Sequence, residues 1–243
     1  MTHDEIIRME RCHVKAWPAF ETRDIEGWHW RYSGGGSQRA NSVSTVDFTG
    51  SDPGRAIAEV ENLYRGMGAV ARFQTFDLTQ PAGLEALLIE RGYSETESTI
   101  TMTKRIETRP VPAETEAYGR AKGEWRDVYL SAITENRRAV NTRILDTIPE
   151  PRRFFLCRRN GRAISTALSV IGFGCAVVEC VATREDARRM GGAETVLRAL
   201  ESWAATQEAD AIGLQVVATN APAVGLYERL GFVAGARNRF WMR

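Results

Sequence analysis

The residues best placed to do chemistry lie late in the chain. Arg188-Arg189-Met190-Gly191-Gly192-Ala193 reads as a Gly-containing turn that opens a helix. Val196, Leu197 and Leu200 follow Ala193 at helical spacing, while Glu194, Arg198 and Glu201 fall elsewhere on the wheel. A helix that begins on small residues leaves its first N–H groups unpaired, and two arginines ahead of it add positive charge. Such a terminus suits an anion, a pyrophosphate for example. An ordinary turn before an amphipathic helix has the same pattern, so the hexapeptide alone leaves both readings open. Gly34-Gly35-Gly36 could also form an anion-binding nest. With no helix following at once, a flexible hairpin connection is the favoured reading there.

The elements that must position these residues follow from periodicity. Thr2 can cap a helix from about His3 to Lys15 that ends before Pro18, with His13 on its partly buried face rather than at a catalytic centre. Trp28, Trp30 and Tyr32 alternate with His29 and Arg31, the mark of a half-exposed strand. Asp52-Pro53 starts a helix to about Met67. A strand at Ala71–Phe76, a helix at Pro81–Glu90 and a strand at Ser98–Lys104 come next. Arg105 to Ala113, a Pro-containing stretch of mixed charge, is the expected domain boundary, dividing the chain into 1–108 and 109–243.

The second part is expected to open with helices at about Glu114–Lys122 and Trp125–Ile144. Strands at Arg153–Arg158 and Arg162–Ile171 join through Asn160-Gly161, where both residues tolerate positive φ. A third strand, Ala176–Thr183, precedes the glycine turn and its helix to about Gln207. A strand at Ala211–Val217, a helix from Asn220 and a last strand at Ala236–Met242 complete the order. Setting Gly92-Tyr93 on Gly231-Phe232, an offset of 139 residues, also superposes the preceding helices and strands. Helix, strand, helix, strand therefore occurs twice, but the first copy has no arginine and glycine turn.

At 243 residues the chain suits two small domains, and Lys+Arg 32 against Asp+Glu 31 gives no reason to expect a nucleic-acid or membrane-surface partner. No apolar run of transmembrane length occurs, and Met1-Thr2-His3-Asp4-Glu5 lacks the basic start of a signal peptide. Cys12, Cys157, Cys175 and Cys180 are scattered without a paired motif or a His cluster. That spacing argues against a metal site and a disulfide framework and suits a reduced, cytoplasmic chain. All three histidines lie within the first 30 residues, so a His-dependent triad with the later motifs is not expected.

Arg188-x-x-Gly191-x-Ala193 with Asn220-x-x-Ala223-x-x-Leu226-Tyr227-Glu228-x-Leu230-Gly231-Phe232 resembles the GNAT superfamily of N-acetyltransferases, over roughly Glu114 to Arg243. The N-terminal half looks like a degenerate copy, as in tandem-GNAT proteins. The resemblance implies an α/β (α+β) fold of two GNAT-like domains, each a mixed, mostly antiparallel sheet flanked by helices. It implies acetyl-CoA as co-substrate and no metal. Backbone at Val181 and Thr183 would pair with pantetheine, and amides of Arg188, Arg189, Gly191, Gly192 and Ala193 would hold the pyrophosphate. Asn220 would meet the CoA arm, and Tyr227 would protonate the departing thiolate. Two departures from the family pattern stand out: Thr183-Arg184-Glu185 where a proline often follows the third strand, and Ala193 in place of the final glycine.

Direct attack of an amine on a thioester independently calls for a base, N–H donors and an acid. Glu179, an isolated carboxylate on an apolar strand, is the candidate base, with partial burial expected to raise its pKa; a solvent-facing or arginine-paired carboxylate is the alternative. Cys180 lacks a neighbouring base for a covalent role. The expected protein is therefore an acetyl-CoA-dependent N-acyltransferase acting on a small-molecule or peptide amine, as a monomer or homodimer with one active site per chain. Two other readings stay open: a catalytically silent acyl-CoA-binding or protein-interaction module, and use of a different acyl donor such as aminoacyl-tRNA. The near-neutral charge speaks against the latter.

Overall fold

The computed structural model describes residues 2–108 and 110–243; Met1 and Arg109, the first residues of the two expected domains, lie outside the described residues. Helix α1 (His3–Ala16) is set by its N-terminus. The Thr2 hydroxyl accepts from the Glu5 N–H and the Glu5 carboxylate accepts from the Thr2 N–H, closing a capping box. Strands β1 (Glu21–Ile25), β2 (Trp28–Tyr32) and the short β3 (Val43–Ser44) follow, with a single 3₁₀ turn at Arg39–Asn41 between the last two. Asp52 caps α2 (Pro53–Gly66); then come β4 (Arg72–Phe76), α3 (Leu84–Glu90) and the long β5 (Ser94–Arg105).

The second part contains β6 (Thr115–Tyr118), α4 (Glu124–Ser131), α5 (Glu135–Thr147), β7 (Arg152–Arg159), β8 (Arg162–Gly172) and β9 (Cys175–Thr183). It closes with α6 (Gly192–Ala205), β10 (Ala211–Val217), α7 (Ala221–Arg229) and β11 (Val233–Met242). Two expectations are corrected. The stretch expected as a helix from Glu114 contains β6, which pairs antiparallel with β7 from Thr115↔Cys157 to Tyr118↔Phe154, because an edge-strand position was open beside β7. The single helix expected at Trp125–Ile144 is two, since the chain breaks after Ser131 and restarts behind Thr134. Tertiary packing decides both: Trp125, Val128 and Tyr129 seat α4 while Ile144 and Leu145 seat α5 in one core.

Among the described residues eleven strands form one sheet, in the order β1-β2-β3-β4-β11-β5-β10-β9-β8-β7-β6. The fold is a mixed α/β arrangement whose sheet is mostly antiparallel; the parallel neighbours are β3 with β4 and β9 with β10. Shifted by 139 residues, 53–66 becomes 192–205, so α2 falls on α6; β4 and β5 start on the first residues of β10 and β11. The last strands of the two halves are exchanged. β5 pairs with β10 on one side and with β11 on the other, and β11 pairs in turn with β4.

That exchange ties the cores together. Trp241, on the final strand, is buried in the first half's core with Trp28, Trp30, Tyr64 and Phe73, and its Nε1 donates to the Thr75 hydroxyl at 2.9 Å. Met102, on β5, is buried in the second half's core with α6 and α7 residues such as Leu200 and Tyr227. Helix α1 covers the opposite face, where the buried Glu10 accepts hydrogen bonds from Gln215, Asn238 and Thr101. Trp241→Ala removes a large buried ring and the hydrogen bond that the Thr75 hydroxyl accepts, leaving the one it donates to Glu85, so a loss of about 3–5 kcal/mol is expected. Urea denaturation followed by circular dichroism should report a lower midpoint, although the substitution lies two residues from the end of the chain.

Candidate active site

The site begins where two parallel strands part. β9 and β10 are paired from Cys175–Ala211 to Val178–Leu214 and no further. Beyond that point β9 stays with β8, and β10 stays with β5 through Val217↔Thr99. A register shift in the β8–β9 ladder and a positive φ of 54° at Cys180 mark the bend. The fork opens a cleft of about 760 Å³. Glu179, Cys180 and Val181 form one wall and Gln215 to Val217 the other. Asn220 and Tyr227 come from α7 and its cap, Tyr129 and Arg137 from α4 and α5, and Trp17 and Arg39 from the first half.

Of the residues singled out by sequence, Glu179, Val181, Asn220 and Tyr227 thus line one cleft. Thr183 does not line it; its hydroxyl lies 2.7 Å from that of Ser165 on β8. The Arg188–Ala193 turn lies past the C-terminal end of β9 at the start of α6. There Arg189 and Gly191 adopt φ of 63° and 78°, which curls the backbone into a concave turn. Gly192 has no room for a side chain, since a Cβ would come within 2.9 Å of Ile164 Cδ1 and 3.0 Å of Ser165 Cβ. Among the described residues, no N–H from 189 to 194 donates a hydrogen bond, so a row of donors faces outward beside Arg188. The corresponding helix in the first half differs: the Asp52 carboxylate accepts from the Arg55 N–H at 3.0 Å, placing a negative charge where an anion would bind.

Glu179 behaves differently from expectation. Burial favours its neutral form, but the Arg39 guanidinium more than offsets this with two 2.6 Å hydrogen bonds and its charge, and His13 adds to it; the carboxyl is held at about 2 instead of rising. Burial without a cation would have raised it; a fork-to-fork arginine partner reverses the sign. Arg39 in turn lies over the Trp17 ring at 5.6 Å. His13 is buried, both its ring nitrogens lack a hydrogen-bond partner, and Nδ1 stands 3.7 Å from Glu179 Oε1.

Burial, joined by the Glu179 charge, pushes the Tyr227 phenol up to about 12, so it keeps its proton across the physiological range. Its hydroxyl makes no hydrogen bond to the described residues and is available to donate. The Cys180 thiol is also driven upward by burial and by Glu179, which leaves it a poor nucleophile. Asn220 caps α7, its Oδ1 accepting from the Ala223 N–H at 3.3 Å. Among the described residues no group of three His, Cys, Asp or Glu side chains converges as a metal site, and no helix is long and apolar enough to cross a membrane.

Sequence reasoning missed Arg39 and Trp17. Nothing in their local pattern marks them; the Gly34–Gly36 bend carries Arg39 to a carboxylate 140 positions away. Tyr129 and Arg137 sat inside what looked like an ordinary amphipathic helix.

A family model described as probable histone acetyltransferase Rv0428c C-terminal matches residues 3–241. The chain is 26% identical over 243 residues to the uncharacterized N-acetyltransferase YobR of Bacillus subtilis (strain 168), covering 94% of this chain and 95% of that one. Its fold is similar to a GCN5-related N-acetyltransferase from Kribbella flavida, with TM-score 0.71 at 16% identity over 97% and 94% of the two chains. It is also similar to a tandem GNAT protein from the clavulanic acid biosynthesis pathway, with TM-score 0.60 at 15% identity over 83% and 74%.

The pH dependence of stability follows from Glu179. Because its folded pKa of about 2 lies below the ordinary 4.5, the pair contributes fully above pH 4.5 and is lost as the pH falls toward 2. Roughly 3 kcal/mol should disappear over that window. Urea titrations at pH 5, 3.5 and 2 should find this loss reduced in Glu179→Gln. Arg39→Met, which strands the carboxylate, should cost about 3–5 kcal/mol at pH 7.

Proposed function

We propose, for a chain that belongs to the GNAT superfamily of N-acetyltransferases and to the family of that histone-acetyltransferase model, that it moves an acetyl group from acetyl-CoA to the primary amine of a small molecule or peptide by direct attack. The observation that carries this reading is the β9–β10 fork, where the unbonded Tyr227 hydroxyl lines a cleft that also holds Glu179. Acetyl-CoA supplies the activated carbonyl and the thiolate leaving group. The open amides between Arg189 and Ala193, with the Arg188 and Arg189 side chains, fit its pyrophosphate, because the positive-φ turn leaves donors without internal acceptors. Val181, and Thr183 beyond it, offer strand backbone to the pantetheine arm, and Asn220 flanks it from the α7 cap.

In this reading Tyr227 holds a proton at Oη for the departing sulfur, a role its raised pKa suits. Glu179, kept ionised by Arg39, attracts and orients the incoming amine; its low pKa makes it a fixed negative charge, with the amine proton passing on to solvent. Residues 1–108 supply Trp17 and Arg39 to the cleft and carry no acyl-CoA site of their own, while residues 109–243 bind acetyl-CoA, giving one active site per chain. The reading places the enzyme in the cytoplasm, as a monomer or homodimer, without metal, membrane or nucleic-acid partner. A net charge of +1 and four unpaired cysteines support that setting.

The competing reading, a catalytically silent acyl-CoA-binding or protein-interaction module, draws on one observation: Glu179 already spends both oxygens on Arg39. Thiol release from acetyl-CoA with a pooled set of amines separates the two, turnover supporting the enzyme and binding without turnover across a broad panel supporting the module. Gly191→Glu fills the turn with bulk and negative charge, and calorimetry should find acetyl-CoA binding abolished; normal binding would sink the pyrophosphate assignment. Tyr227→Phe and Glu179→Gln should each lower kcat/KM for the amine at least tenfold while leaving acetyl-CoA affinity within about twofold, as losses confined to the reacting end of the cleft.

A further inference from the structure

Arg159 closes β7 just ahead of the Asn160-Gly161 turn. Along this strand Phe155 and Cys157 are buried against α6 residues such as Val196 and Leu200, whereas Phe154 and Leu156 are buried in the core seated by α4 and α5. The alternation continues to the strand's end. Arg158 turns to Glu116 and Glu124, at 2.6 and 2.5 Å, which leaves Arg159 on the α6 side. The register shift between Cys157 and Arg158 does not disturb this, because the residue it leaves unpaired, Ile164, belongs to β8.

On that side the guanidinium meets the glycine turn. Arg159 Nη2 stands 3.6 Å from the position that a Cβ on Gly191 would take. Its Nη1 pairs with Glu114 Oε1 at 3.0 Å, the two side chains being 35% and 44% exposed. Nε is buried without a hydrogen-bond partner, and Nη2 has no oxygen acceptor among the described residues. One end of the fork is therefore held by a carboxylate, while the other lies beside Gly191 with its donors unused. The turn it faces is itself unsatisfied: no N–H from 189 to 194 donates among the described residues, and Arg188 meets Glu185 only at 3.7 Å between exposed groups.

We propose that Arg159 is a third arginine of the acyl-CoA site, its Nη2 edge donating to the pyrophosphate cradled by the Arg188–Ala193 turn; the assignment rests on the acetyl-CoA reading above. A guanidinium presents parallel N–H donors that match phosphate oxygens, and its charge adds to that of Arg188 and Arg189 where backbone amides alone supply only partial charges. Gly191 belongs to the turn, so the phosphates nearest to Nη2 are those that the turn holds. Glu114 fixes Arg159 in place and also opposes the incoming anion, since its carboxylate carries the same sign of charge as the phosphates.

Calorimetric titration of the full chain at constant ionic strength tests this, with acetyl-CoA and 3′-dephospho-acetyl-CoA as probes. Arg159→Met should weaken both about tenfold, the loss of one charge-assisted contact, and Arg159→Lys should recover part of that loss. Glu114→Gln removes the opposing charge and should tighten both at least twofold, an effect that a merely structural ion pair would not produce and one that decides the matter if Arg159→Met fails to fold. Unchanged affinity in Arg159→Met, a loss seen with acetyl-CoA alone, which would put Arg159 on the 3′-phosphate, or no tightening in Glu114→Gln would each overturn the proposal. Wild-type protein that binds neither probe would overturn the acyl-CoA reading itself, an outcome distinct from normal wild-type binding that Arg159→Met leaves untouched.

Discussion

The pairing of β5 with β11 is the constraint on which the rest of this structure depends. These two strands are the last of their respective halves, and each also pairs with a strand of the other half, β5 with β10 and β11 with β4. Taking either strand away would leave two neighbours with open edges and strip an aromatic or Met side chain from a core that it does not belong to by sequence. Burial of Trp241 among Trp28, Trp30 and Phe73 makes the point energetically: large apolar area is removed from water only when β11 is seated against the strands of the first half.

The same join positions the chemistry. With β10 held by β5 along its whole length, β9 is free to leave it after Val178, and the resulting fork is the cleft. The first half then closes one end of that cleft. Arg39, laid over the Trp17 ring, reaches Glu179 across the join, and a carboxyl whose pKa burial alone would raise is kept charged by a bidentate guanidinium. The electrostatic character of the site is thus a property of both halves, although the strands that shape the fork belong largely to one.

The two halves also differ in an instructive way at equivalent helices. Helix α6 starts on Gly191 and Gly192 with its donors open, whereas α2 starts behind Asp52, whose carboxylate occupies the donor of Arg55. One substitution type at one helix terminus separates an anion-ready end from one that is already satisfied.

The sequence by itself determined much of the second half's frame. The Asn160-Gly161 hairpin, the glycine turn into α6, the strand before it and the Asn220–Phe232 helix were legible because they rest on local rules: positive φ, helix caps and hydrophobic period. The 139-residue repeat was legible for the same reason. What only the tertiary structure decided depends on contacts between residues far apart. Thr115–Tyr118 became a strand because β7 offered it an edge, the exchanged strands merged two sheets into one, and Glu179 acquired a low pKa because Arg39, 140 positions earlier, was folded against it. Local propensity carries no record of such pairings, since the free energy that selects them comes from desolvation and charge across the assembled core.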